Sequence, residues 1–357
     1  MQTMGLEHTR VFPLTLLKDI TGNFSEERVI GRGGSGVVYK GVLDNGEEIA
    51  VKKLHNHYDS SGNKLGNGEA QFLNELMNLI GVQHHNIIRL VGYCYETHNI
   101  VIECDGKRVL ASEEERVLCL EYMQGGSLKD HLSDESCGLE WDTRFNILKG
   151  VCEGLKYLHT GSENPIYHLD LKPENILLDR NMMPKIGDFG ISRLPVGSMQ
   201  TYATENAVSG TIGYMAPEYI GWNQISQKCD VYSLGFIMIR VIAGEKGPQN
   251  YDPHRPSEEF IESVHTNWGK RRKAIVSSHS LEQVKTCTEI ALRCVEFDRE
   301  KRPTITDIIG ELNKIDGAEC SAIVGGQNTE EEEYTTLEKQ RVFQEKRKTT
   351  QNIWREK

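Results

Sequence analysis

A short segment near the middle of the chain, YHLDLKPEN at Tyr167–Asn175, carries three polar side chains that could act on one substrate. Asp170 is followed two residues later by Lys172 and five residues later by Asn175. Pro173 favours a non-helical turn, which would let Asp170 and Asn175 converge on a hydroxyl group and a metal ion. The segment therefore predicts a loop that orients a nucleophile and helps to hold a cation.

A second acidic group follows in the segment KIGDFG at residues 185–190. Asp188 offers a further oxygen ligand, and Gly190 permits a sharp turn beside it. Mg²⁺ prefers oxygen ligands and usually takes only one or two from protein, the rest from phosphates and water. We therefore expect Asn175 and Asp188 to hold Mg²⁺, with Mn²⁺ as an alternative ion.

A glycine-rich segment, GRGGSG at Gly31–Gly36, could bring the backbone close to a polyphosphate and point N–H groups at it. Dinucleotide-binding folds use similar glycines, but a helix follows them at once. Here the strand pattern VVYKGVL follows, and Asn45-Gly46 then predicts a hairpin. This order favours a glycine hairpin over the phosphates of a nucleotide and disfavours a dehydrogenase.

Lys52 ends the apolar run IAVK, at the spacing that would fold it beneath those phosphates. A lysine at the end of a strand also fits a solvated edge, but in this site it could neutralise the α and β phosphates. It would then need a carboxylate to position it. Glu75 is the candidate, because residues 69–80 have helical apolar spacing; Glu69 is the alternative, at the helix start where acids simply cap.

The elements that must position these groups fall into a β-rich first part and a helix-rich second part. This division predicts an α+β fold with two lobes. Two further strands are expected near residues 87–95 and 116–122, with a polar insertion of unassigned structure at 96–115. Helical periodicity then covers Thr143–His159, Cys229–Ala243, Leu281–Phe297 and Thr304–Ile315.

The chain is expected to divide into three regions. A polar lead-in with one apolar patch covers residues 1–28, and a single domain covers 29–315, with an N-lobe at 29–123 and a C-lobe at 124–315. The tail at 316–357 has four consecutive glutamates and few apolar anchors. Disorder or a lone helix is therefore predicted for the tail.

Composition limits the class of protein. The net charge of −11 argues against general nucleic-acid binding, and the basic run KRRK at 270–273 fits a solvated loop or a nuclear address. The nine cysteines form no CxxC pair, which predicts reduced thiols in a cytosol. No apolar run approaches the roughly 18 residues of a spanning helix, and no secretory signal is visible. A soluble, intracellular protein is expected.

The order of these motifs, completed by Ala216-Pro217-Glu218, resembles the motif set of the eukaryotic protein kinases over about residues 29–315. The phrases LEYMQGGSL and GTIGYMAPEY are most similar to plant receptor-like and receptor-like cytoplasmic kinases of the Pelle type. The resemblance implies a bilobal kinase fold and ATP-dependent phosphorylation of Ser and Thr hydroxyls in proteins. It also implies receptor-linked signalling or defence, with an upstream receptor or co-receptor kinase as partner. A pseudokinase scaffold that binds nucleotide without transfer is the alternative.

The resemblance further implies roles for the residues that match the motifs. Lys52 and Glu75 would form the activating ion pair. Asp170 would accept the proton of the substrate hydroxyl, and Lys172 would steady the transferring phosphoryl group. A supporting role would fall to three residues elsewhere in the chain, namely Glu218 paired with Arg302, and Asp230.

ATP would be bound by residues from both lobes. The glycine segment would cover the phosphates, four apolar side chains would sandwich the adenine, and Leu120 would be the gatekeeper before a hinge at Glu121–Met123. The ATP-binding residues implied in this way are Ile30, Gly31, Gly33, Gly36, Val38, Ala50, Lys52, Glu121, Met123 and Leu177.

Leu169 departs from the family pattern, which usually has an arginine before the catalytic aspartate. That arginine pairs with a phosphorylated residue of the activation loop, and a leucine cannot. The resemblance implies a non-RD kinase, a type linked in plants to pattern-sensing receptors; drift within one lineage is the alternative. We expect the geometry of Asp170 to depend less on loop phosphate. The loop still offers Ser192, Ser198, Thr201, Thr204, Ser209 and Thr211, of which Thr211 is expected to contact the catalytic loop.

Receptor-like kinases usually carry an ectodomain and a membrane helix, and this sequence contains neither. A cytoplasmic member of the family is therefore expected, with peripheral attachment to the plasma membrane and a receptor fragment left open. Residues 4–9 would fit an N-myristoylation pattern only if translation began at Met4, and a chance match is the alternative.

Overall fold

The structure is a computed structural model of the chain. It describes residues 9–55, 67–104, 107–132, 139–161, 165–192, 201–202, 208–244, 257–270 and 277–317. The described residues up to Leu312 belong to one compact unit, and residues 313–317 complete the last turns of a helix. Three predictions concern residues that lie mostly outside the described ranges. They are the myristoylation pattern, the basic run at 270–273 and the tail.

The N-lobe is built on six strands: β1 Arg10–Val11, β2 Val29–Arg32, β3 Gly36–Val42, β4 Glu48–Leu54, β5 Leu90–Cys104 and β6 Lys107–Glu121. They form one sheet in the order β1-β5-β6-β4-β3-β2, in which only β1 and β5 run parallel. The hairpin predicted at Asn45-Gly46 is confirmed. Gly46 adopts a φ of +82°, a conformation that glycine accepts without strain.

One long helix, α2 at Asn67–Leu79, packs on this sheet, as the periodicity of residues 69–80 predicted. Phe72 and Leu76 on its apolar face join a buried cluster with Leu54 of β4 and Leu118 of β6. Because residues three and four apart share a helix face, Glu75 lies beside this cluster and points toward the sheet rather than the solvent. Its side chain is fully buried.

The insertion at 96–115 continues the two strands that flank it. Strands β5 and β6 pair in register from Glu96 opposite Glu115 to Cys104 opposite Lys107, so the predicted strands at 87–95 and 116–122 were too short. The extension projects beyond the other strands, and Val101 and Leu110 there are 66% and 71% exposed. Apolar residues also follow one another at 100–102, so the sequence lacks the alternation of apolar and polar residues that marks a half-buried strand.

Residues 9–28, predicted as a polar lead-in, pack on the N-lobe sheet. After β1 they form the helix α1, Leu14–Ile20, whose first N–H donates to the carboxylate of Glu96 at 2.8 Å. Leu14 and Leu17 are buried in one cluster with Tyr39, from the sheet. The apolar patch in this segment therefore belongs to the N-lobe core.

The C-lobe is mainly helical. Its helices are α3 Trp141–Thr160, α4 Pro217–Trp222, α5 Gln227–Ala243, α6 Ser257–Gly269, α7 Ser278–Cys294 and α8 Ile305–Asp316. The four helices predicted by periodicity are confirmed, although α7 begins three residues earlier because the hydroxyl of Ser277 accepts the N–H of Ser280. Helix α5 is central, and Gly235 lets α7 approach it, since a Cβ there would lie 2.7 Å from Cys294.

Short strands complete the structure: β7 Gly126–Ser127, β8 Ile176–Leu178 and β9 Pro184–Ile186 form one sheet, and β10 Thr201–Tyr202 pairs with β11 Gln224–Ile225. Ile88, from the N-lobe, donates its N–H to the carbonyl oxygen of Ile186 at 2.9 Å, which joins the two lobes. The predicted bilobal α+β fold is confirmed. No helix in the described ranges combines the length and apolar character that crossing a bilayer demands.

Replacing Leu17 by alanine should lower the free energy of unfolding by about 2–4 kcal/mol, because it removes a fully buried side chain from the N-lobe core. Thr15→Ala is the matched control, since Thr15 is exposed on the same helix and a change below about 0.5 kcal/mol is expected there. Urea unfolding followed by circular dichroism measures both. Equal, small effects for the two variants would show that the segment is not part of the core.

Candidate active site

The ammonium group of Lys52 lies between two carboxylates. Its Nζ donates to both oxygens of Glu75, at 2.7 and 3.0 Å, and to Oδ1 of Asp188 at 2.8 Å. Burial alone would lower the pKa of Lys52, but the charges of Glu75 and Asp188 outweigh it and raise that pKa. Lys52 therefore remains charged in the folded protein.

The same environment shifts the pKa values of the two carboxylates in opposite directions. Burial raises the pKa of Glu75, whose side chain is fully enclosed, although Lys52 opposes that shift. For Asp188 burial acts in the same direction, but Lys52 outweighs it and lowers the pKa. Asp188 is therefore held in its ionised form, the form that binds a cation.

The register of the sheet explains how Lys52 reaches this position. Cross-strand partners in a sheet point their side chains to one face. Lys52 is opposite Val38 on one side and Leu118 on the other, and Ala50, two residues earlier, is opposite Leu120. Val38, Ala50 and Lys52, all predicted to contact ATP, therefore share one face of the sheet with the predicted gatekeeper.

The glycine segment forms the turn between β2 and β3. Gly31 is paired with Val38 across the β2–β3 hairpin, and the N–H of Gly33 donates to the carbonyl oxygen of Gly36 at 3.0 Å. A Cβ at Gly36 would lie 2.2 Å from the carbonyl oxygen of Lys53 in β4, so only glycine fits at this position. The tight packing holds the turn against the strand that carries Lys52.

The remaining residues predicted to contact the adenine come from both lobes. Ile30 on β2 is 44% exposed, Met123 is buried just beyond β6, and Leu177 lies on β8. The carboxylate of Glu121, at the end of β6, is 2.9 Å from the ammonium of Lys185. That side chain is therefore engaged in an ion pair between the lobes, and the N–H of Glu121 donates to the carbonyl oxygen of Arg89 at 3.1 Å.

In the catalytic segment, four side chains form one hydrogen-bond network. Asp170 accepts from the ammonium of Lys172 at 2.8 Å and from the hydroxyl of Thr211 at 2.7 Å. Lys172 also donates to the hydroxyl oxygen of Thr211 at 2.8 Å, and the amide of Asn175 donates to the backbone and side chain of Asp170. The expected contact of Thr211 with the catalytic loop is present.

This loop is held from beneath by Asp230 of α5. The carboxylate of Asp230 accepts the backbone N–H groups of His168 at 2.9 Å and of Leu169 at 2.8 Å. The N–H of Asp170 donates to Nδ1 of His168, which places the ring proton on Nε2, 3.0 Å from the carbonyl oxygen of Gly187. His168 thereby connects the catalytic loop to the residue just before Asp188.

Leu169 is an apolar anchor of the loop. It has a φ of +65°, a left-handed conformation that is strained for a bulky residue and that here turns the backbone toward Asp230. Its side chain is only 4% exposed. The cluster that buries it includes Tyr167, Ala216, Tyr219, Ile225 and Cys229. Packing, and not a charge, therefore fixes the side chain at this position.

A buried ion pair fastens the segment after the activation loop. Arg302 binds the two carboxylate oxygens of Glu218 at 2.7 and 2.8 Å, as the resemblance implied. The guanidinium also donates to three backbone carbonyl groups. This pair holds α4, and with it the chain that leads to Thr211, against the body of the C-lobe.

The protein kinase domain family matches residues 24–311 of this chain. The chain belongs to the protein kinase family. Cysteine-rich receptor-like protein kinase 44 of Arabidopsis thaliana is 38% identical to it over 305 residues, which cover 82% of this chain and 74% of that protein. Its similarity places this kinase in the plant receptor-like group.

Two further relatives from Arabidopsis thaliana are much longer than this kinase. Cysteine-rich receptor-like protein kinase 41 is 37% identical over 82% of this chain and 42% of its own length. A G-type lectin S-receptor-like serine/threonine-protein kinase is 36% identical over 87% of this chain and 36% of its own length. This kinase thus spans less than half of the length of these two relatives. A domain of this family uses ATP, a divalent cation and a protein substrate.

The side chains of Asn175 and Asp188 fit a divalent cation. Asp188 is ionised, and Asn175 supplies an amide oxygen. The two segments are joined, because the N–H of Gly187 donates to the carbonyl oxygen of Asn175 at 2.9 Å.

One residue near this site was missed from the sequence. Asn74, next to Glu75, contacts the backbone beyond Asp188. A single polar residue in a helix has no periodic signal, and only its place beside Glu75 could have drawn attention to it.

Arg302→Met should destabilise this kinase by about 3–5 kcal/mol, because it leaves the buried carboxylate of Glu218 without a partner. Arg293→Met is the matched control. The pair of Arg293 with Glu311 is largely exposed, and its loss should cost less than about 1 kcal/mol. Chemical denaturation of the two variants gives the comparison. Similar costs at the two positions would contradict the structural role assigned to Arg302.

Proposed function

We propose that the chain is an active serine/threonine protein kinase, which transfers the γ-phosphoryl group of ATP to Ser and Thr hydroxyls of proteins. The observation that carries the proposal is the buried ammonium of Lys52 between Glu75 and Asp188. In a fold of this kind, that ion pair aligns the nucleotide phosphates and the residue that binds the cation. The receptor-like names of the relatives give the proposal its second support.

The chemistry asked of the protein is positioning and cancellation of charge, because phosphoryl transfer needs little covalent work from side chains. Lys52 is placed to neutralise phosphate oxygens from the N-lobe side, and Lys172 supplies a second positive charge beside Asp170. A divalent cation, which Asn175 and Asp188 would hold, would supply further positive charge to offset the charge of the phosphates. We propose Mg²⁺ for this ion, since both ligands are hard oxygen donors.

Asp170 is the residue placed to orient the substrate hydroxyl and accept its proton. Its carboxylate is fixed on one side by Lys172 and on the other by Thr211, so little freedom remains to be lost when a substrate binds. A lysine two residues after the aspartate resembles the serine/threonine class of the family. Hydroxyl groups of Ser and Thr are therefore the proposed acceptors.

The biological setting is proposed from the relatives. Their names describe receptor-like kinases, so we propose that this kinase works in receptor-linked signalling or defence in a plant. Its partners would be protein substrates and an upstream receptor or co-receptor kinase. A cytoplasmic location at or near the plasma membrane would fit such partners.

Asp170→Asn should lower phosphorylation of a generic peptide by about 10²–10⁴-fold, because the amide cannot accept the proton of the hydroxyl. Asp142→Asn is the matched control. It makes the same chemical change at an exposed position of the C-lobe, and its activity should equal that of the wild type. Transfer of labelled phosphate from ATP–Mg²⁺ to the peptide measures both. A wild-type protein that binds ATP–Mg²⁺ and transfers nothing would instead be a pseudokinase scaffold.

Phosphate on the activation loop should matter little, because Leu169 is buried among apolar side chains and Asp230 holds the loop backbone. Replacing Ser198, Thr201, Thr204 and Ser209 together by alanine should change peptide phosphorylation by less than about tenfold. Mass spectrometry of the wild type would establish which of these residues carry phosphate. A loss of activity by several orders of magnitude would contradict ordering without phosphate.

A further inference from the structure

Helix α2 contacts the segment at 188–192 through the side chain of Asn74, the residue before Glu75. The side-chain amide of Asn74 donates to backbone carbonyl oxygens of the same segment. The distances from Nδ2 of Asn74 are 3.1 Å to Phe189, 3.0 Å to Gly190 and 2.9 Å to Ser192.

Three carbonyl groups that converge on one point place three partial negative charges close together. A donor between them relieves this repulsion, and an amide group carries two N–H bonds that the three oxygens can share. An acceptor in the same place would add to the repulsion, and an apolar side chain would remove the donor that the three carbonyl groups share. The geometry therefore requires a donor at residue 74.

Two further side chains of the helix lie close to the segment, one turn before and one turn after Asn74. A Cβ on Gly190 would lie 2.8 Å from the amide nitrogen of Gln71, one turn before Asn74. One turn after it, the amide of Asn78 is 3.5 Å from the carbonyl oxygen of Ser192. The face of α2 that carries Glu75 is therefore lined with amide side chains along its contact with the segment.

The far end of the segment is attached to the catalytic loop. The hydroxyl of Ser192 donates to the carbonyl oxygen of His168 at 3.2 Å, and the carbonyl oxygen of Ser192 accepts from Asn74. A continuous set of hydrogen bonds thus runs from α2 through Ser192 to the loop that carries Asp170. Displacement of α2 would break these bonds together with the ion pair between Lys52 and Glu75.

We propose that Asn74 is a positioning residue for Asp188. It fixes the backbone of residues 189–192 against α2, and this holds the carboxylate of Asp188 at the ammonium of Lys52, where the cation and phosphates would bind. Asn74 itself acts only through this segment. The inference deepens the proposed kinase function, on which it rests for its effect on catalysis.

The test compares Asn74→Asp with Asn74→Ala. Aspartate has nearly the shape of asparagine but presents acceptors to the three carbonyl groups, whereas alanine only removes the donor. Leu73→Asp is the matched control, because it adds the same charge at a neighbouring exposed position of the helix. For each protein, kcat and the peptide KM are measured with ATP–Mg²⁺, with the melting temperature and the backbone hydrogen exchange of residues 187–192.

Both variants at Asn74 should lower kcat by about tenfold or more, with Asn74→Asp at least as impaired as Asn74→Ala. The peptide KM should stay within about twofold of the wild-type value, because Asn74 acts on the segment at 189–192 and not on the bound peptide. Exchange should increase at residues 189–192 in both variants, and Leu73→Asp should match the wild type in every measurement.

Normal kcat in both variants would overturn the proposal. A normal kcat for Asn74→Asp together with a lowered kcat for Asn74→Ala would also overturn it, because the shape of the side chain rather than its donor would then matter. If Asn74→Asp does not fold, Asn74→Ala decides alone by its kcat, its peptide KM and its exchange. If the wild type transfers no phosphate, the kinase function fails separately. Unchanged exchange at 189–192 in the folded variants would then still overturn the role of Asn74.

Discussion

The site depends on one constraint: the ammonium of Lys52 is buried, and a buried charge is stable only beside charges of opposite sign. Glu75 and Asp188 provide them, and each comes from a different part of the chain. Glu75 requires that α2 lies against the sheet, and Asp188 requires that the segment after β9 approaches from the C-lobe. The position of a single lysine therefore fixes the relation among a strand, a helix and a loop, which is the arrangement that phosphoryl transfer needs.

A second support, independent of this ion pair, holds the catalytic loop. Asp230 binds two consecutive backbone N–H groups, and the left-handed conformation of Leu169 presents them to it. The strain of that conformation is offset by the hydrogen bonds and by burial of the leucine side chain. Because these interactions lie beneath the loop, they do not require a charged group on the activation segment. The departure of Leu169 from the family pattern is thereby consistent with an ordered Asp170.

Much of this arrangement could be predicted because its signals are local. Glu75 was preferred because it lies within the helix predicted for residues 69–80, whereas Glu69 lies at the helix start, where acids simply cap. The structure pairs Glu75 with Lys52. The hairpin at Asn45-Gly46 followed from turn chemistry. Roles for the individual site residues remain proposals, supported by their geometry.

Other features could not be predicted because they depend on contacts between distant parts of the chain. The segment at 9–28 reads as polar, yet its apolar side chains fill the N-lobe core. The ribbon at 96–115 carries exposed apolar side chains at Val101 and Leu110, and its sequence lacks the alternation of a half-buried strand. The role proposed for Asn74 depends on three carbonyl groups that lie more than a hundred residues away in sequence.

A double-mutant cycle between Lys52 and Glu75 tests the central claim most directly. The value of kcat/KM for peptide phosphorylation is measured for Lys52→Met, for Glu75→Gln, for the double variant and for the wild type. Residues that act as a unit show strongly non-additive losses of activity. The kcat/KM of the double variant should therefore be within about threefold of that of the less active single variant. Losses that multiply across the two substitutions would show that Lys52 and Glu75 act separately, and the account of the site would be wrong.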